Sequence, residues 1–340
     1  MKAGQKKLDS KVRMQRTGKL LGRIVFYVVC LCLAYQLLYP VLYMISMSIR
    51  EPSDMNDPSI IWVAKHFTLD NFADAIKSMN FWNAFRVSLT LCIVCGVLDV
   101  FSCAIAGYGF ARFDFWGKKA LFVLVIFTMV VPTQTLVLPL YMRWRYADFG
   151  GIVGLFNEQG FVNLIGTLWP LIIPAALAMG VRSGLYIFIY RQFFINLPVA
   201  LEDAAYIDGA GPYRTFFSIM LPNIKNAIIT VFLFSFVWNW GEYYLSKQFL
   251  GSTDRSIMVA LSAIRRDLAS LSSLAGTQIG SNPEKVATRV MAGCLLTAAP
   301  MLIMFIFTQR FLADSIEHIG IAEPLIVRPR EGGGYEIISG

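Results

Sequence analysis

The side chains that could do chemistry in this chain are few, and several stand inside long apolar runs. Asp99, Arg182 and Glu242 each interrupt a stretch that is otherwise hydrophobic. Burying an ionisable group in such a setting is costly, so each marks either a solute pathway or an internal pair. Asp99 and Arg182 fall at comparable depths along ideal helices, which makes a mutual pair one expectation and two separate structural roles the other. Around Glu242, the residues Trp238, Asn239, Trp240 and Tyr243 mix ring faces with hydrogen-bonding groups. That mixture suits a ligand with apolar C–H faces and hydroxyls, while an aromatic belt at a membrane interface accounts for the same residues. Asp99, Arg182, Trp238, Asn239, Trp240 and Glu242 are therefore candidate pathway residues.

Catalytic constellations are missing from the sequence. There is no His-Glu-x-x-His pair, no Gly-x-Ser-x-Gly elbow and no Gly-x4-Gly-Lys-Ser/Thr phosphate loop. No catalytic residue is expected, and ATP is not expected to be hydrolysed by this chain. Cys92 and Cys95 form a C-x-x-C, but all six cysteines fall in apolar runs and the only histidines are His66 and His318. Cysteine acts in such places as a small apolar residue, so neither a metal site nor a disulfide framework is expected.

The elements that must position these groups are membrane helices. Hydrophobic residues make up 56% and charged residues 15%, with a mean hydropathy of +0.57, values foreign to a soluble domain. About 20 apolar residues span a bilayer. Six runs qualify: 24–48, 87–110, 120–142, 164–190, 227–246 and 286–311. The fourth is interrupted by Pro170, Pro174, Gly180 and Arg182, which predicts a kink or an irregular half. The fold class expected is all-α, a polytopic bundle of about six transmembrane helices, with a basic tail over 1–23, a membrane domain over 24–312 and a tail over 313–340. Lys2, Lys6, Lys7, Lys11, Arg13, Arg16, Lys19 and Arg23 face a single acid, Asp9, before the first run. This places the amino terminus in the cytoplasm, with an uncleaved first span rather than a signal peptide. The net charge of +8 is read as attraction to anionic lipid, not nucleic acid.

One polar segment between two apolar runs stands out. In EDAAYIDGAGPYRTFFSIMLP, Glu202 to Pro222, Pro198 suits a first helical position, with Asn196 or Leu197 as the cap, and Glu202 and Asp203 lie in the first turns, where the helix dipole favours negative charge. Gly209 can take a left-handed end conformation and Pro212 discourages continuation, so a helix of about three turns is expected, then a second from Pro212 to Met220. Leu201, Ala204, Ala205 and Asp208 share one face by the i, i+3, i+4, i+7 rule, and the alanines permit close approach by another protein.

The spacing from Glu202, Asp203, Ala204 and Ala205 through Asp208 and Gly209 to Ile219, Leu221 and Pro222 resembles the EAA loop of ABC importer permeases. The string EDAAYIDGA is similar to the carbohydrate branch of that family. FIYRQFFINLP, AGYGFARF, VWNWGEYYL and APMLIMFIFTQRF extend the likeness over roughly residues 20 to 312. Two departures are Asp203 where the family commonly has Glu, and a tail after Phe311 without the usual Gly-rich ending. The resemblance implies a type I importer permease in a bacterial or archaeal plasma membrane, with segment 196–225 as the coupling loop seated in a cleft of a partner ATPase. It further implies a homologous second permease, an ABC ATPase dimer that binds ATP and Mg2+, an extracytoplasmic solute-binding protein, surrounding membrane lipid, and a sugar or oligosaccharide moved by alternating access. A permease for another small solute, such as a polyamine or phosphonate, shares the loop, and a polytopic membrane enzyme is the reading from another class.

Overall fold

The computed structural model describes residues 2–57, 63–156, 159–251, 255–274, 283–318, 326–329 and 335–338. In chain order its helices are α1 (Lys2–Ser48), α2 (Asp70–Ser78), α3 (Phe81–Arg112), α4 (Lys118–Val130), α5 (Thr133–Arg145), α6 (Trp169–Ala176) and α7 (Ser183–Asn196). They continue as α8 (Ala200–Ile207), α9 (Pro212–Thr215), α10 (Leu221–Asn223), α11 (Lys225–Trp240), α12 (Tyr244–Phe249), α13 (Ile257–Leu274) and α14 (Pro283–His318). Strands β1 (Ile326–Pro329) and β2 (Tyr335–Ile338) form an antiparallel ladder with Ile326 opposite Ile338. Beside this ladder, the described residues depart from an all-helical chain at two isolated antiparallel bridges, Arg50 with Phe67 and Ala147 with Val162. The low-complexity Gly332–Gly334 lies outside the described residues.

Three helical segments, 22–48, 81–112 and 283–309, are each long and apolar enough to cross a membrane, and three bent helix pairs raise the possible total to six. The bends lie between α4 and α5 (106°), α7 and α8 (75°), and α10 and α11 (79°). Two have a common cause. Val131 precedes Pro132 and Leu197 precedes Pro198, and both pre-proline residues take extended backbone (ψ 122° and 137°) that ends the helix. The run expected over 164–190 is not one span. Its helix stops at Ala176, Ala178 turns left-handed at φ 54°, and α7 begins at Ser183 and continues past Tyr190 to Asn196. The fifth run also ends early, at Trp240 rather than Ser246. Helix α1 starts at Lys2 and α14 reaches His318, so both helices continue beyond their apolar spans of 22–48 and 283–309.

Internal contacts divide the chain into two compact units, residues 1–75 with 265–296 and residues 76–264 with 297–340. In the first, side chains along the apolar part of α1 are largely exposed. The turn after it is tied by polar groups. The buried Asn71 amide donates to the Ser48 and Arg50 carbonyls at 2.9 and 2.8 Å, and Arg289 of α14 pairs with Asp74 of α2 at 2.6 Å.

Asp54 in the same unit accepts from the Lys65 and His66 amides at 2.8 Å each and meets His66 Nδ1 at 2.7 Å. These bonds, the His66 amide first, hold its carboxyl below the ordinary value of 3.8. A depressed carboxylate contributes stability that is fully present above its unfolded value and is lost as pH falls through the folded one. Hydrogen-exchange protection of the Lys65 and His66 amides is therefore expected to persist at pH 5 and above and to be lost only below about 3.8. Protection that fades between pH 7 and 5 contradicts this clasp.

The second unit is built on α3. Helices in lipid gain little from hiding apolar surface, so they associate where small residues let backbones approach. Gly107 does this against α7, since a Cβ there meets Tyr190 Cβ at 2.6 Å and the Arg191 backbone nitrogen at 3.1 Å. Gly96 serves likewise beneath Phe232 of α11, and Gly184 of α7 against Thr128 and the Val125 carbonyl of α4. Around these contacts Cys103, Ala104 and Tyr108 of α3, Tyr186, Tyr190 and Phe194 of α7, and Ala227 and Val231 of α11 make one buried core.

Candidate functional site

The loop after α7 is folded by its own sequence. α8 ends in a Schellman motif: the Ala210 amide donates to the Ala205 carbonyl at 2.9 Å and the Gly209 amide to Tyr206 at 3.1 Å. The motif needs a left-handed residue, and Gly209 supplies it at φ 78°. The helix begins at Ala200 with Val199 as its cap, two or three residues later than expected. The second expected helix, Pro212 to Met220, is four residues of α9, a π turn over Phe216–Met220, and then α10. Pro222 has no N–H to offer the Ser218 carbonyl and its ring crowds that oxygen, which widens the turn. The Asn223 side-chain Nδ2 donates to the Ile219 carbonyl at 2.7 Å.

The shared face of Leu201, Ala204, Ala205 and Asp208 is divided by the fold. Ala205 and Glu202 are buried, whereas Asp203, Ala204, Ile207 and Asp208 are exposed. Ile207 stands 86% exposed and Tyr213 82%, so an apolar surface faces outward one residue away from the expected stripe. Within segment 219–222, Leu221 is buried, Ile219 is half-buried and Pro222 is exposed. Glu202 does not reach outward. Its carboxylate lies 3.1 Å from Arg112 Nε, both side chains about one-tenth exposed, and the other arm of Arg112 donates to the Leu197 carbonyl at 2.7 Å. In the sequence Arg112 stood only as one residue of the string AGYGFARF.

A cavity of about 360 Å³ opens between α3, α4, α5, α6, α7, α11 and α12. Five of the six candidate pathway residues line it: Asp99, Arg182, Trp238, Asn239 and Glu242. Trp240 does not. It is buried, stacked on Phe236, and its indole N–H donates to the Thr297 carbonyl at 3.1 Å. Helix α11 is apolar nearly all round, so its sequence cannot say which indole faces inward. Glu242 lies past the helix end and accepts from the Leu245 amide at 3.0 Å, capping α12.

Asp99 and Arg182 line the same cavity without pairing. Asp99 accepts from the Ser235 hydroxyl at 2.7 Å, and the Asn239 amide donates to Ser235 Oγ and O at 3.1 and 2.9 Å. Arg182 lies 3.9 Å over the Trp238 ring instead, an attraction of cation for ring face. The sequence singled out neither Ser235 nor Trp144, whose buried indole N–H also borders the cavity without an acceptor among the described residues. No cluster of metal-ligating side chains occurs among the described residues.

The chain as a whole is similar to known proteins. The profile of the family described as "Binding-protein-dependent transport system inner membrane component" matches residues 103–317. The arabinooligosaccharides transport system permease protein AraQ of Halalkalibacterium halodurans is 28% identical over 293 residues, covering 85% of this chain and 92% of that protein. The maltodextrin transport system permease protein MdxG of Bacillus subtilis is 26% identical over 299 residues, covering 86% and 94%. Among solved structures, a bacterial ABC transporter involved in the import of the acidic polysaccharide alginate superposes with a TM-score of 0.67 at 19% identity, covering 87% of this chain and 97% of that one. At that identity the likeness is one of fold, and the fold is the helical permease bundle expected.

Proposed function

Because the chain belongs to the family of binding-protein-dependent transport system inner membrane components, we propose that it is the multi-pass permease subunit of an ABC importer that carries a sugar or oligosaccharide. The observation that carries this reading is the loop helix α8, bound to its own core by Ala205 and Glu202 while Asp203, Ala204 and Ile207 stand free. A helix so mounted is a surface on which another subunit can push. With no phosphate-binding loop in the sequence, ATP and Mg2+ belong to a separate ATPase dimer, and the chain itself catalyses nothing. A homologous permease completes the pathway, an extracytoplasmic binding protein delivers solute, and the basic amino terminus lies in the cytoplasm beside anionic lipid.

The cavity supplies the solute contacts. Asn239 and Glu242 offer hydrogen-bonding groups beside the Trp238 ring, a combination that receives hydroxyls and C–H faces together. Weak contacts suffice, because alternating access needs only different affinities in the two states.

A cysteine at Ile207, rather than at the buried Ala205, tests the reading. It is expected to crosslink to the cleft of the ATPase in the assembled complex, since bridged α-carbons lie within about 7 Å. The purified chain alone is expected to bind no ATP. Absence of the crosslink across a scan of cleft positions, with crosslinks from the tail after Phe311 instead, overturns it.

A further inference from the structure

Arg112 is the last residue of α3, and it holds two other elements at once. One guanidinium arm donates to the carbonyl of Leu197, where α7 ends, and Nε sits 3.1 Å from Glu202 in α8. The guanidinium hydrogen-bonds one element through Nη2 and sets its charge beside the carboxylate of the other as an ion pair, two contacts a compact ammonium does not reach together. One turn back, Tyr108 packs its ring against Phe194 and Phe216 at 5.2 and 5.1 Å. Gly107 beside it locks α3 to α7 at near-minimum separation. The loop helix is thus clamped to a block of two helices that cannot slide past one another without clash.

The same α3 carries Asp99 into the cavity. Thirteen residues separate Asp99 from Arg112, about 20 Å along the axis. Within this second unit, we infer that Arg112 is the joint that makes α8 and α3 move together, so that displacement of the coupling loop reaches the cavity wall. Arg112 is a positioning residue. It touches neither solute nor nucleotide. The inference rests on α8 being the ATPase contact, as proposed above.

The test uses the full complex in proteoliposomes, with two cysteines introduced in turn. Ile207→Cys reports docking by its crosslink to the ATPase, and Asn239→Cys reports the cavity by its labelling rate with a water-soluble maleimide, with and without Mg-ATP and vanadate. In the native background the labelling rate is expected to change about tenfold on adding nucleotide, the size of an ordinary coupling between sites. Arg112→Gln is expected to keep the Ile207 crosslink and the ATPase rate while the labelling change falls below about twofold. A native-sized change in Arg112→Gln overturns the joint.

If Arg112→Gln does not assemble, Arg112→Gln with Glu202→Gln removes the uncompensated buried charge. Assembly of that double variant without the labelling change supports the joint, and assembly with it shows a purely structural pair. If neither assembles, Arg112→Lys decides. It keeps a charge opposite Glu202 but gives up the fork, and a native labelling change in it overturns the inference, a reduced one supports it. Loss of the Ile207 crosslink in the native background instead defeats the coupling-loop reading itself.

Discussion

Gly209→Val is expected to lower ATP-driven uptake about a hundredfold or more while the protein still inserts and assembles with its partner permease. The reason is backbone, not space. Nothing lies within 4 Å of where a Cβ would stand, but φ is +78°. An L-residue in that conformation costs roughly 1–2 kcal/mol, and a β-branched one more. Escape from the strain breaks the two hydrogen bonds that close α8, each worth about 1 kcal/mol. The exposed Ile207, two residues before the glycine, then loses its fixed direction. Gly209→Asn is the control, because asparagine tolerates the left-handed region, and it is expected to retain most uptake. Uptake at matched membrane levels checks both. Normal transport by Gly209→Val removes the chief support for a rigid coupling helix.

Asp99→Ala is expected to reduce transport on the order of a hundredfold and to destabilise the complex in detergent by about 1–3 kcal/mol. Asp99 and Ser235 are both buried, and Ser235 Oγ already receives the Asn239 amide. Removing the carboxyl leaves the buried Ser235 proton without its acceptor at the cavity wall. A double-mutant cycle of Asp99→Ala with Ser235→Ala is expected to show coupling of about 1–3 kcal/mol. The corresponding cycle with Arg182→Gln is expected to be additive within about 0.5 kcal/mol. Thermal melting of the assembled complex measures each. Additivity for Ser235 together with strong coupling to Arg182 reverses the assignment and restores the ion pair that the sequence suggested.

What the sequence discloses here is what its local chemistry dictates. The turn at Gly209 and the breaks at Pro132 and Pro198 each follow from a residue acting on its own backbone. Partnerships across the bundle do not. Arg112 and Glu202 are 90 positions apart, and long-range packing such as Gly107 against α7 brings them together. Asp99 and Arg182 were legible as costly buried groups, yet comparable depth is not contact, and Ser235 looked like a small residue in an apolar helix. The same limit separates Trp238 from Trp240. Polar residues that line the cavity, such as Asn239 and Glu242, stood out because they interrupt apolar neighbours.

Arg182 over Trp238 bears on how selective a weak site can be. One face of the indole is covered by the guanidinium at 3.9 Å, and the side chain as a whole is 44% exposed. A ring so held has given up much of its rotational freedom before any solute arrives, and that entropy is lost in folding rather than in binding. Its remaining surface is a preorganised platform. On the reading proposed above, a solute meets a fixed plane whose orientation it need not impose, and discrimination between epimers can rest on the direction of a few hydroxyls instead of on tight affinity, which would slow release.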